Sequence, residues 1–293
     1  MTVGALVAES ERRLASKGVP EAAANAEWIV AHVLGCGRLD VRARHAGVLT
    51  PEEKRRVLRR VAQRAKRVPL AYVLGTQDFM GLDLEAGPAA LVPRPETEEL
   101  VQAVVALARG PAGGRRSLRI LDIGTGSGCI SVALARLLPQ ARFVATDVSP
   151  RALALARRNA RRQGVGGRVR FVREDLFQPP RRKGAAADIV VSNPPYVPTA
   201  EIATLEPEVG KEPRAALDGG EDGLDAIRAI AARAPMDLKP GGWLALEIGY
   251  GEAPAVRRLL RTAGFRKIEI RKDLQGVERI VLATKLELGR PQS

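Results

Sequence analysis

The stretch with the clearest chemical potential is the tetrapeptide Asn193-Pro194-Pro195-Tyr196, which follows the short apolar run 189–192. Proline has no N–H for a sheet ladder and restricts the residue before it, so the two prolines end the predicted strand in a rigid loop. The side-chain oxygen of Asn193 and the carbonyl of Pro194 are two acceptors, which suit the two hydrogens of a planar –NH₂ group. The ring of Tyr196 is placed to lie against the flat face of that group. Taken alone, the tetrapeptide is equally compatible with a proline-rich turn that has no chemical role.

A second candidate is the glycine-rich turn Gly124-Thr125-Gly126-Ser127-Gly128, between a predicted strand and a predicted helix. Glycines let the backbone approach a ligand closely, and the free N–H groups at the start of a helix can bind it. The dinucleotide fingerprint G-x-G-x-x-G would need glycine at Cys129. Its absence argues against a dehydrogenase that binds a pyrophosphate. A tight turn with only a structural role is the alternative.

Acidic residues follow the next two predicted strands. Asp147 lies about 20 residues after the glycine turn, where a carboxylate can accept hydrogen bonds from both hydroxyls of a ribose. The alternative for Asp147 is an acid that stabilises the start of a helix through its dipole. Asp175 can accept from an exocyclic amine of adenine while Leu176 covers a ring face, although an acid after a strand is often only a loop residue.

These residues need a frame that brings four strand ends together. Strands are predicted at 118–123, 142–147, 168–173, 187–192, 242–249, 266–271 and 278–284, with helices at 128–138, 150–163, 222–236 and 253–264. This alternation is typical of an α/β fold with a doubly wound, mostly parallel seven-stranded sheet. The last two strands have no helix between them and are expected to pair antiparallel near an edge. Open sheets of this kind bind ligands in a crevice at the carboxyl ends of the strands.

The amino-terminal part has a different pattern. Apolar residues at helical spacing predict helices over 3–17, 21–34 and 51–66, with Thr50 as the N-cap of the third. A strand-like alternation over 79–84 follows. We therefore predict a small helical domain (1–66), a linker with a β-hairpin (67–95), an α/β domain (96–285) and a tail (286–293).

Composition sets limits on location and metal content. The chain has 293 residues, 45% of them hydrophobic, and no apolar run approaches the ~20 residues of a membrane span. Because the amino terminus lacks the pattern of a signal peptide, and because Cys36 and Cys129 are isolated thiols, we expect a cytoplasmic protein. Neither these cysteines nor the two histidines have the spacing of a metal site, so no metal is expected.

The formal net charge of +14 favours an acidic partner, such as nucleic acid or a protein bound to it. Many of the arginines, however, are spread along predicted helices and are expected to lie on solvated faces. Aromatic residues make up only 3% of the chain, which argues against a platform that stacks single-stranded bases.

The ordered set of glycine turn, two acids and Asn-Pro-Pro-Tyr resembles S-adenosylmethionine-dependent methyltransferases that act on a planar nitrogen. Further stretches are similar to the peptide-chain release factor glutamine methyltransferases over nearly the whole chain except 286–293. These stretches are Arg67-x-Pro69-x-x-Tyr72-x-x-Gly75, the run from Leu91 to Glu98, the run from Asp122 to Gly128, Glu212-Pro213 and the run from Ala216 to Leu224.

This resemblance implies transfer of a methyl group from S-adenosyl-L-methionine to the side-chain nitrogen N5 of the glutamine in a Gly-Gly-Gln motif. The implied partners are bacterial-type class I release factors. The product is S-adenosyl-L-homocysteine, no metal is needed, and a monomer that need not bind nucleic acid directly is expected. By the same resemblance, the cofactor residues are Gly124, Thr125, Gly126, Ser127, Gly128, Asp147, Asp175 and Leu176. The residues that hold the glutamine are Asn193, Pro194, Pro195 and Tyr196.

The sequence departs from the family pattern at two places: some members carry an aromatic residue at Leu176, and members often have a glutamine near Gly251-Glu252. Two other functions stay open. A methyltransferase acting on N6 of adenine, or on another exocyclic amine of nucleic acid, would share the Asn-Pro-Pro-Tyr chemistry, but it would have to flip its base and no insertion for that is evident. A binding module without activity could use the same fold.

Overall fold

The computed structural model describes residues 1–110, 112, 117–178 and 186–286. The chain divides into two compact units. Unit 1 comprises Met1–Thr76 and Glu206–Lys211, and unit 2 comprises Gln77–Leu205 and Glu212–Ser293. None of the helices in the described ranges has both the length and the apolar character that a membrane crossing requires.

Unit 1 is helical. Its elements are α1 (Val3–Ala15), α2 (Ala22–Leu34), α3 (Arg38–Ala43), α4 (Pro51–Arg64) and α5 (Leu70–Leu74). The three predicted helices are present, whereas α3 and α5 were not predicted because each is too short to show a helical period. The predicted cap of α4 is confirmed: Thr50 Oγ1 accepts from Glu53 N at 3.2 Å, and Glu53 Oε2 accepts from Thr50 N at 2.7 Å.

A buried ion pair fixes the segment Glu206–Lys211 within unit 1. Arg64, whose side chain is 4% exposed, donates to Glu208 Oε1 at 2.7 Å and to Asn25 Oδ1 at 2.7 Å. Arg67 donates to both carboxylate oxygens of Glu208, at 2.7 and 2.6 Å. Burial alone would raise the pKa of Glu208, but the hydrogen bonds from Arg67 and Arg64 outweigh it and lower the pKa. The carboxylate is therefore held in its charged form.

Two short strands form a hairpin, β1 (Thr76–Phe79) and β2 (Leu82–Glu85). The hairpin predicted within 67–95 is present, but the strand-like alternation over 79–84 includes its turn and is not one strand. Met80 and Gly81 form the turn, with φ of 56° and 73°. Two successive positive φ values suit the tight turns that join hairpin strands. Gly81 was a signal for this turn in the sequence. Methionine rarely adopts a positive φ, so Met80 gave no indication that the turn includes it.

Unit 2 contains the predicted seven-stranded sheet. Its strands are β3 (Arg119–Ile123), β4 (Arg142–Asp147), β5 (Val169–Arg173), β6 (Ala187–Ser192), β7 (Leu238–Glu247), β8 (Phe265–Lys272) and β9 (Glu278–Lys285). They lie in the order β5-β4-β3-β6-β7-β9-β8. The first five in that order are parallel, and β9 runs antiparallel to both β7 and β8. Both the doubly wound fold and the antiparallel pair at the edge are confirmed.

The helices of unit 2 cover both faces of this sheet. They are α6 (Pro95–Arg109), α7 (Cys129–Leu137), α8 (Pro150–Arg162), α9 (Asp225–Asp237) and α10 (Ala253–Thr262). Neighbouring residues of β3 enter different cores: Ile120 packs with α6 and α7, and Leu121 packs with α9 and α10. Since side chains of a strand alternate between faces, this places the two pairs of helices on opposite sides.

Some element ends differ from the prediction. β7 begins at Leu238 instead of 242, and α9 begins at Asp225 instead of 222. Short 3-10 turns at Thr199–Thr204, Val209–Lys211 and Arg214–Ala216 occupy the segment after the Asn-Pro-Pro-Tyr loop. The predicted domain boundaries stay predictions, and all of the predicted tail except Leu286 lies outside the described residues.

The buried ion pair gives a prediction about stability. Replacing Glu208 with alanine leaves Arg64 charged and without its carboxylate, so the free energy of unfolding of unit 1 should fall by about 3 kcal/mol. Urea titration of the full chain, followed by far-UV circular dichroism, measures this change. Glu206→Ala, an exposed side chain of the same segment, is the control and should cost less than about 0.5 kcal/mol. Equal losses in the two variants would show that Glu208 does not anchor the segment.

Candidate functional site

A cavity of ≈ 470 Å³ lies in unit 2 at the carboxyl ends of the parallel strands. The predicted site residues in its lining are Gly124, Thr125, Gly126, Ser127, Asp147, Asp175, Leu176, Asn193, Pro194 and Pro195. Gly128 and Tyr196 are not part of that lining. The two central strands β3 and β6 are adjacent, and Ser192 Oγ donates to Ile123 O at 2.7 Å. The glycine turn and the Asn-Pro-Pro-Tyr loop therefore face the same crevice.

The glycine turn adopts a backbone that side chains rarely permit. Gly124, Gly126 and Gly128 have φ of 71°, 56° and 82°. A Cβ at Gly128 would lie 2.9 Å from the Cβ of Ala156. Glycine at 128 thus allows α7 to approach α8 closely, which is a packing role, whereas Gly124 and Gly126 border the cavity itself.

The carboxylate of Asp122 connects the glycine turn to α7. Its Oδ2 accepts from Thr125 Oγ1 at 2.6 Å and from Ser131 Oγ at 2.7 Å. The side chain is fully buried, and burial raises its pKa to about 6 even though the two hydroxyl groups favour the charged form. Asp122 was not predicted as a site residue. Its position two residues before Gly124 was the available signal.

Asp147 is already oriented by the backbone around it. Its Oδ2 accepts from Gly126 N at 2.9 Å, and its Oδ1 accepts from Ser149 N at 2.8 Å. Burial raises its pKa, and the two backbone hydrogen bonds oppose that shift. Each carboxylate oxygen retains further lone-pair capacity, so the group can still accept two hydrogen bonds from a ligand in the cavity.

The loop after β5 is braced by a buried salt bridge that the sequence did not reveal. Glu174 pairs with Arg233 of α9, and Arg233 Nε donates to Asp237 Oδ2 at 3.0 Å. The next residue, Asp175, accepts from Phe177 N at 3.0 Å through its own side chain. Glu174, Asp175 and Leu176 all contribute to the cavity wall.

Asn193 is held by a neighbour from α6. Its Nδ2 donates to Thr97 Oγ1 at 3.0 Å, and Thr97 is buried. Glu247, the last residue of β7, is buried close to both side chains. Burial raises the pKa of Glu247 to about 7, against the influence of Thr97, Arg279 and Asn193. Neither Thr97 nor Glu247 was predicted as a site residue.

Tyr196 is half-buried beside this group. Burial raises the pKa of its phenol to about 12, and the nearby charge of Glu247 adds to the shift. The hydroxyl therefore stays protonated at neutral pH and cannot serve as a base.

Glu212 explains two sequence stretches that had no chemical interpretation. Its buried carboxylate accepts from Val92 N at 2.7 Å and pairs with Arg94. Val92, Arg94 and Pro213 all border the cavity. The runs 91–98 and 212–217 thus build one wall of the site.

Within the ranges that the structure covers, no group of three or more His, Cys, Asp or Glu side chains is arranged to hold a metal ion. Cys129 lies in the cavity wall, and burial raises the pKa of its thiol to about 12. The site therefore offers hydrogen-bond acceptors and an apolar surface, without a reactive thiolate.

Two family models match the chain. Residues 5–75 match the PrmC N-terminal domain, and residues 105–212 match the methyltransferase small domain. The chain is 46% identical over 269 residues to the release factor glutamine methyltransferase of Geobacter sulfurreducens, covering 92% of this chain and 91% of that protein. It is 42% identical over 288 residues to the protein of the same name from Moorella thermoacetica, covering 98% of this chain and 100% of the other.

Solved structures share the fold at lower identity. The hMettl16 catalytic domain in complex with MAT2A 3'UTR hairpin 1 aligns with a TM-score of 0.57 at 19% identity, over 78% of this chain and 81% of that one. The N-terminal domain of human METTL16 in complex with SAH aligns with a TM-score of 0.50 at 19% identity, over 75% and 81%. At this identity the likeness supports the fold only.

The raised pKa of Glu247 predicts a pH-dependent stability. In the folded protein the carboxyl keeps its proton up to about pH 7, whereas the unfolded chain releases it near pH 4.5. The stabilisation from this group is therefore complete below pH 4.5 and is lost as pH rises through 7. Glutamine mimics the protonated form, so Glu247→Gln should gain about 3 kcal/mol relative to wild type between pH 5 and pH 8.

Denaturant unfolding at the two pH values measures this gain. Glu201→Gln changes an exposed side chain and should follow the wild type at both pH values. A constant difference between Glu247→Gln and the wild type would contradict the assignment.

Proposed function

The chain belongs to the family of release factor glutamine methyltransferases, and on that premise we propose that it methylates N5 of the glutamine in the Gly-Gly-Gln motif of class I release factors. The observation that carries this proposal is the placement of Asn193 and Pro194 in the same cavity as the glycine turn and Asp147. One cavity thus contains two acceptors for a planar –NH₂ group and residues that suit a nucleoside. A substrate amide and a cofactor can therefore meet in it.

The fit of the cofactor is supported by three features of the cavity. Gly124 and Gly126 have positive φ, which brings bare backbone to the cavity. Asp147 has both carboxylate oxygens oriented and can accept from a ribose diol. Asp175 and Leu176 lie beyond it in the wall, where an acceptor and an apolar surface suit an adenine. When bound, S-adenosyl-L-methionine supplies a methyl group on a sulfonium, whose departure needs no acid because a neutral thioether leaves.

The task of this chain is to present a weak nucleophile. The lone pair of an amide nitrogen is delocalised into its carbonyl, so the nitrogen reacts poorly. Hydrogen bonds from the substrate –NH₂ to Asn193 Oδ1 and the Pro194 carbonyl fix its rotation and return electron density to the nitrogen. Orientation of this kind can supply about 7–11 kcal/mol of a barrier.

Water must be kept from this reaction, and the apolar parts of the wall serve that purpose. The two prolines, Leu176 and Ile123 border the cavity. We assign to Tyr196 the role of the ring that packs on the substrate glutamine. Tyr196 does not line the cavity, so this role requires the glutamine to enter the cavity past Tyr196. After transfer the nitrogen carries an extra proton, which passes to solvent.

The proposal also assigns roles to the rest of the chain. Residues 5–75, which match the PrmC N-terminal domain, grip the body of the release factor, while unit 2 takes the loop that carries the glutamine. A substrate that acts in translation places the reaction in the cytoplasm.

Methylation of an adenine amine is the second candidate, because hMettl16 shares the fold and its structure contains an RNA hairpin. That likeness extends to the fold alone, whereas identity of 46% over 92% of the chain is to a release factor methyltransferase. The test is transfer of labelled methyl groups to a purified class I release factor, with duplex DNA and a structured RNA as competing acceptors. Label on the release factor glutamine supports the proposal, and label only on nucleic acid overturns it.

Asn193→Ala tests the amide clamp within this assay. Removal of the acceptor at the turn should lower the transfer rate by at least about 10²-fold, because the substrate amide loses its orientation. Affinity for S-adenosyl-L-methionine, measured by calorimetry, should stay within about twofold. The control is Gln102→Ala, which removes an exposed side-chain amide of unit 2 outside the cavity lining. Turnover by Asn193→Ala within a few fold of the wild type would show that the clamp is wrong.

Asp147→Ala tests the ribose site separately. The variant loses both acceptors for the diol, and its dissociation constant for S-adenosyl-L-methionine should rise by about 10- to 100-fold. Asp218→Ala, an acid of the 197–220 segment outside the cavity lining, is the control. Equal cofactor affinity in wild type and Asp147→Ala would remove this role from Asp147.

A further inference from the structure

We propose that one face of α4 is a docking surface for an acidic patch on the release factor. This basic face comprises Arg56, Arg59 and Arg60, which lie at i, i+3 and i+4 and therefore on one side of the helix. Val57 and Val61 of the same helix are fully buried in the core of unit 1 and anchor it from the other side. The inference rests on the proposed function, because it concerns how the same protein substrate is held.

The arginines of the basic face lack the partners that neutralise other arginines of unit 1. Five arginines of that unit form ion pairs with carboxylates: Arg38 and Arg42 with Glu27, Arg55 with Glu52, and Arg64 and Arg67 with Glu208. Within the described ranges, none of the three arginines of the basic face forms an ion pair. Glu53 attracts Arg56 through space, but its Oε2 already accepts from the N–H and the hydroxyl of Thr50.

The three charges of the basic face also repel one another. Like charges at this spacing oppose helix formation. Burial lowers the pKa of Arg60, and the charges of Arg56 and Arg59 lower it further. Arg60 Nε is buried and has no hydrogen-bond partner among the residues that the structure describes. An acidic partner would supply both the acceptor and the counter-charges that this face lacks.

A protein substrate needs a contact of this kind outside the cavity of unit 2. That cavity has a volume of ≈ 470 Å³, which is the size of a site for small ligands and not for the body of a protein. The release factor must therefore contact further surface of the chain. The basic face belongs to residues 5–75, the range that matches the PrmC N-terminal domain, and its charge determines that the contact is acidic.

Protein carboxylates suit the basic face better than nucleic acid does. None of the residues of α4 is aromatic, so the helix offers no ring on which a base could stack. Glu52 and Glu53 in its first turn would repel a phosphate backbone that runs along the helix. A cluster of carboxylates needs to meet only the three guanidinium groups, each of which can bind a carboxylate through two parallel hydrogen bonds.

Affinity for the unmethylated release factor tests the proposal without turnover. The full chain is titrated by calorimetry in the presence of S-adenosyl-L-homocysteine, which has no methyl group to transfer. The triple variant Arg56→Gln, Arg59→Gln, Arg60→Gln should bind the factor about tenfold more weakly at ~50 mM salt. At ~500 mM salt the difference should shrink to about twofold, because salt screens exposed charges. Urea unfolding of this variant should show at least the stability of the wild type, since the repulsion within α4 is removed.

Two further triple variants are matched controls. Lysine at the same three positions keeps the charge and should bind the factor within about threefold of the wild type. Arg136→Gln, Arg161→Gln, Arg170→Gln removes the same charge from exposed arginines of unit 2 and should bind within about twofold. An equal loss in the unit 2 variant would show that the factor responds to net charge and not to α4.

Methyl transfer gives an independent measurement. The glutamine variant of the basic face should lower kcat/KM for the release factor by about tenfold at ~50 mM salt. Its kcat/KM for a short peptide that contains Gly-Gly-Gln should stay within about twofold of the wild type, because the peptide lacks the acidic patch. Affinity for S-adenosyl-L-methionine should also be unchanged, since the basic face does not line the cavity.

The outcomes separate the two proposals. If the wild type methylates neither the factor nor the peptide, the proposed function fails, and the calorimetric titration still decides the docking role. If the wild type is active but the glutamine variant binds the factor as tightly at ~50 mM salt, the docking role is wrong. A loss of affinity in the lysine variant as large as in the glutamine variant would contradict recognition by charge. Binding of a structured RNA that the glutamine variant loses, with its affinity for the factor unchanged, would assign the face to nucleic acid instead.

Discussion

The constraint on which the site depends is that polar groups buried at the carboxyl ends of the strands must satisfy one another. Asp122 lies near the end of β3, and Asp147 and Glu247 end β4 and β7. Asp122 and Glu247 are buried, and Asp147 is partly buried. Asp122 accepts from the hydroxyl groups of Thr125 and Ser131, and Asp147 accepts from the backbone N–H groups of Gly126 and Ser149. A buried acceptor without a donor costs about 1–3 kcal/mol, so these loops have few alternative conformations. The rigidity that a ligand site needs is therefore a consequence of burial.

This arrangement carries a cost in stability. Burial raises the pKa of Asp122 to about 6 and those of Glu247 and Glu252 to about 7, so ionising them at neutral pH opposes folding. A chain selected for stability alone would place apolar residues there. The two hydrophobic cores on either face of the sheet, together with the helical unit, compensate for it. Asp122 binds Thr125, which lines the cavity, and buried acids with a raised pKa are common at functional sites.

The sequence was sufficient for the seven-stranded sheet of unit 2 because its strands and most of the helices that cover it had a local signal. The apolar run before Asn193, the Ser149-Pro150 start of α8 and the glycines after β3 each determine a local conformation. The mostly parallel pairing and the antiparallel edge followed from connection rules, whereas the strand order was not predicted. Short elements such as α3 had no such signal, and the Met80 turn was hidden by a residue that rarely adopts positive φ.

The predicted ligand residues were mostly brought to one cavity, but the residues that orient them could not be read from the sequence. Thr97, Glu247 and Arg233 are far from Asn193 and Glu174 along the chain and meet them only through the packing of α6, β7 and α9. Thr97 had an adequate local explanation as a first-turn residue, and Glu247 directly follows the apolar run 243–246. A polar residue at the end of a buried strand was the one available indication for Glu247.

The same constraint explains why the resemblance to release factor glutamine methyltransferases includes residues that are not proposed to touch a ligand. The runs 91–98 and 212–217 contribute no chemistry of their own, yet Glu212 joins them through Val92 N and Arg94. Since that carboxylate is buried, neither run can change independently without leaving a charge or an N–H unpaired. Thr97 belongs to the first of these runs, so the wall of the cavity and the orientation of Asn193 depend on one helix start. The wall is thus constrained as strongly as the tetrapeptide that it faces, because the position of α6 determines both.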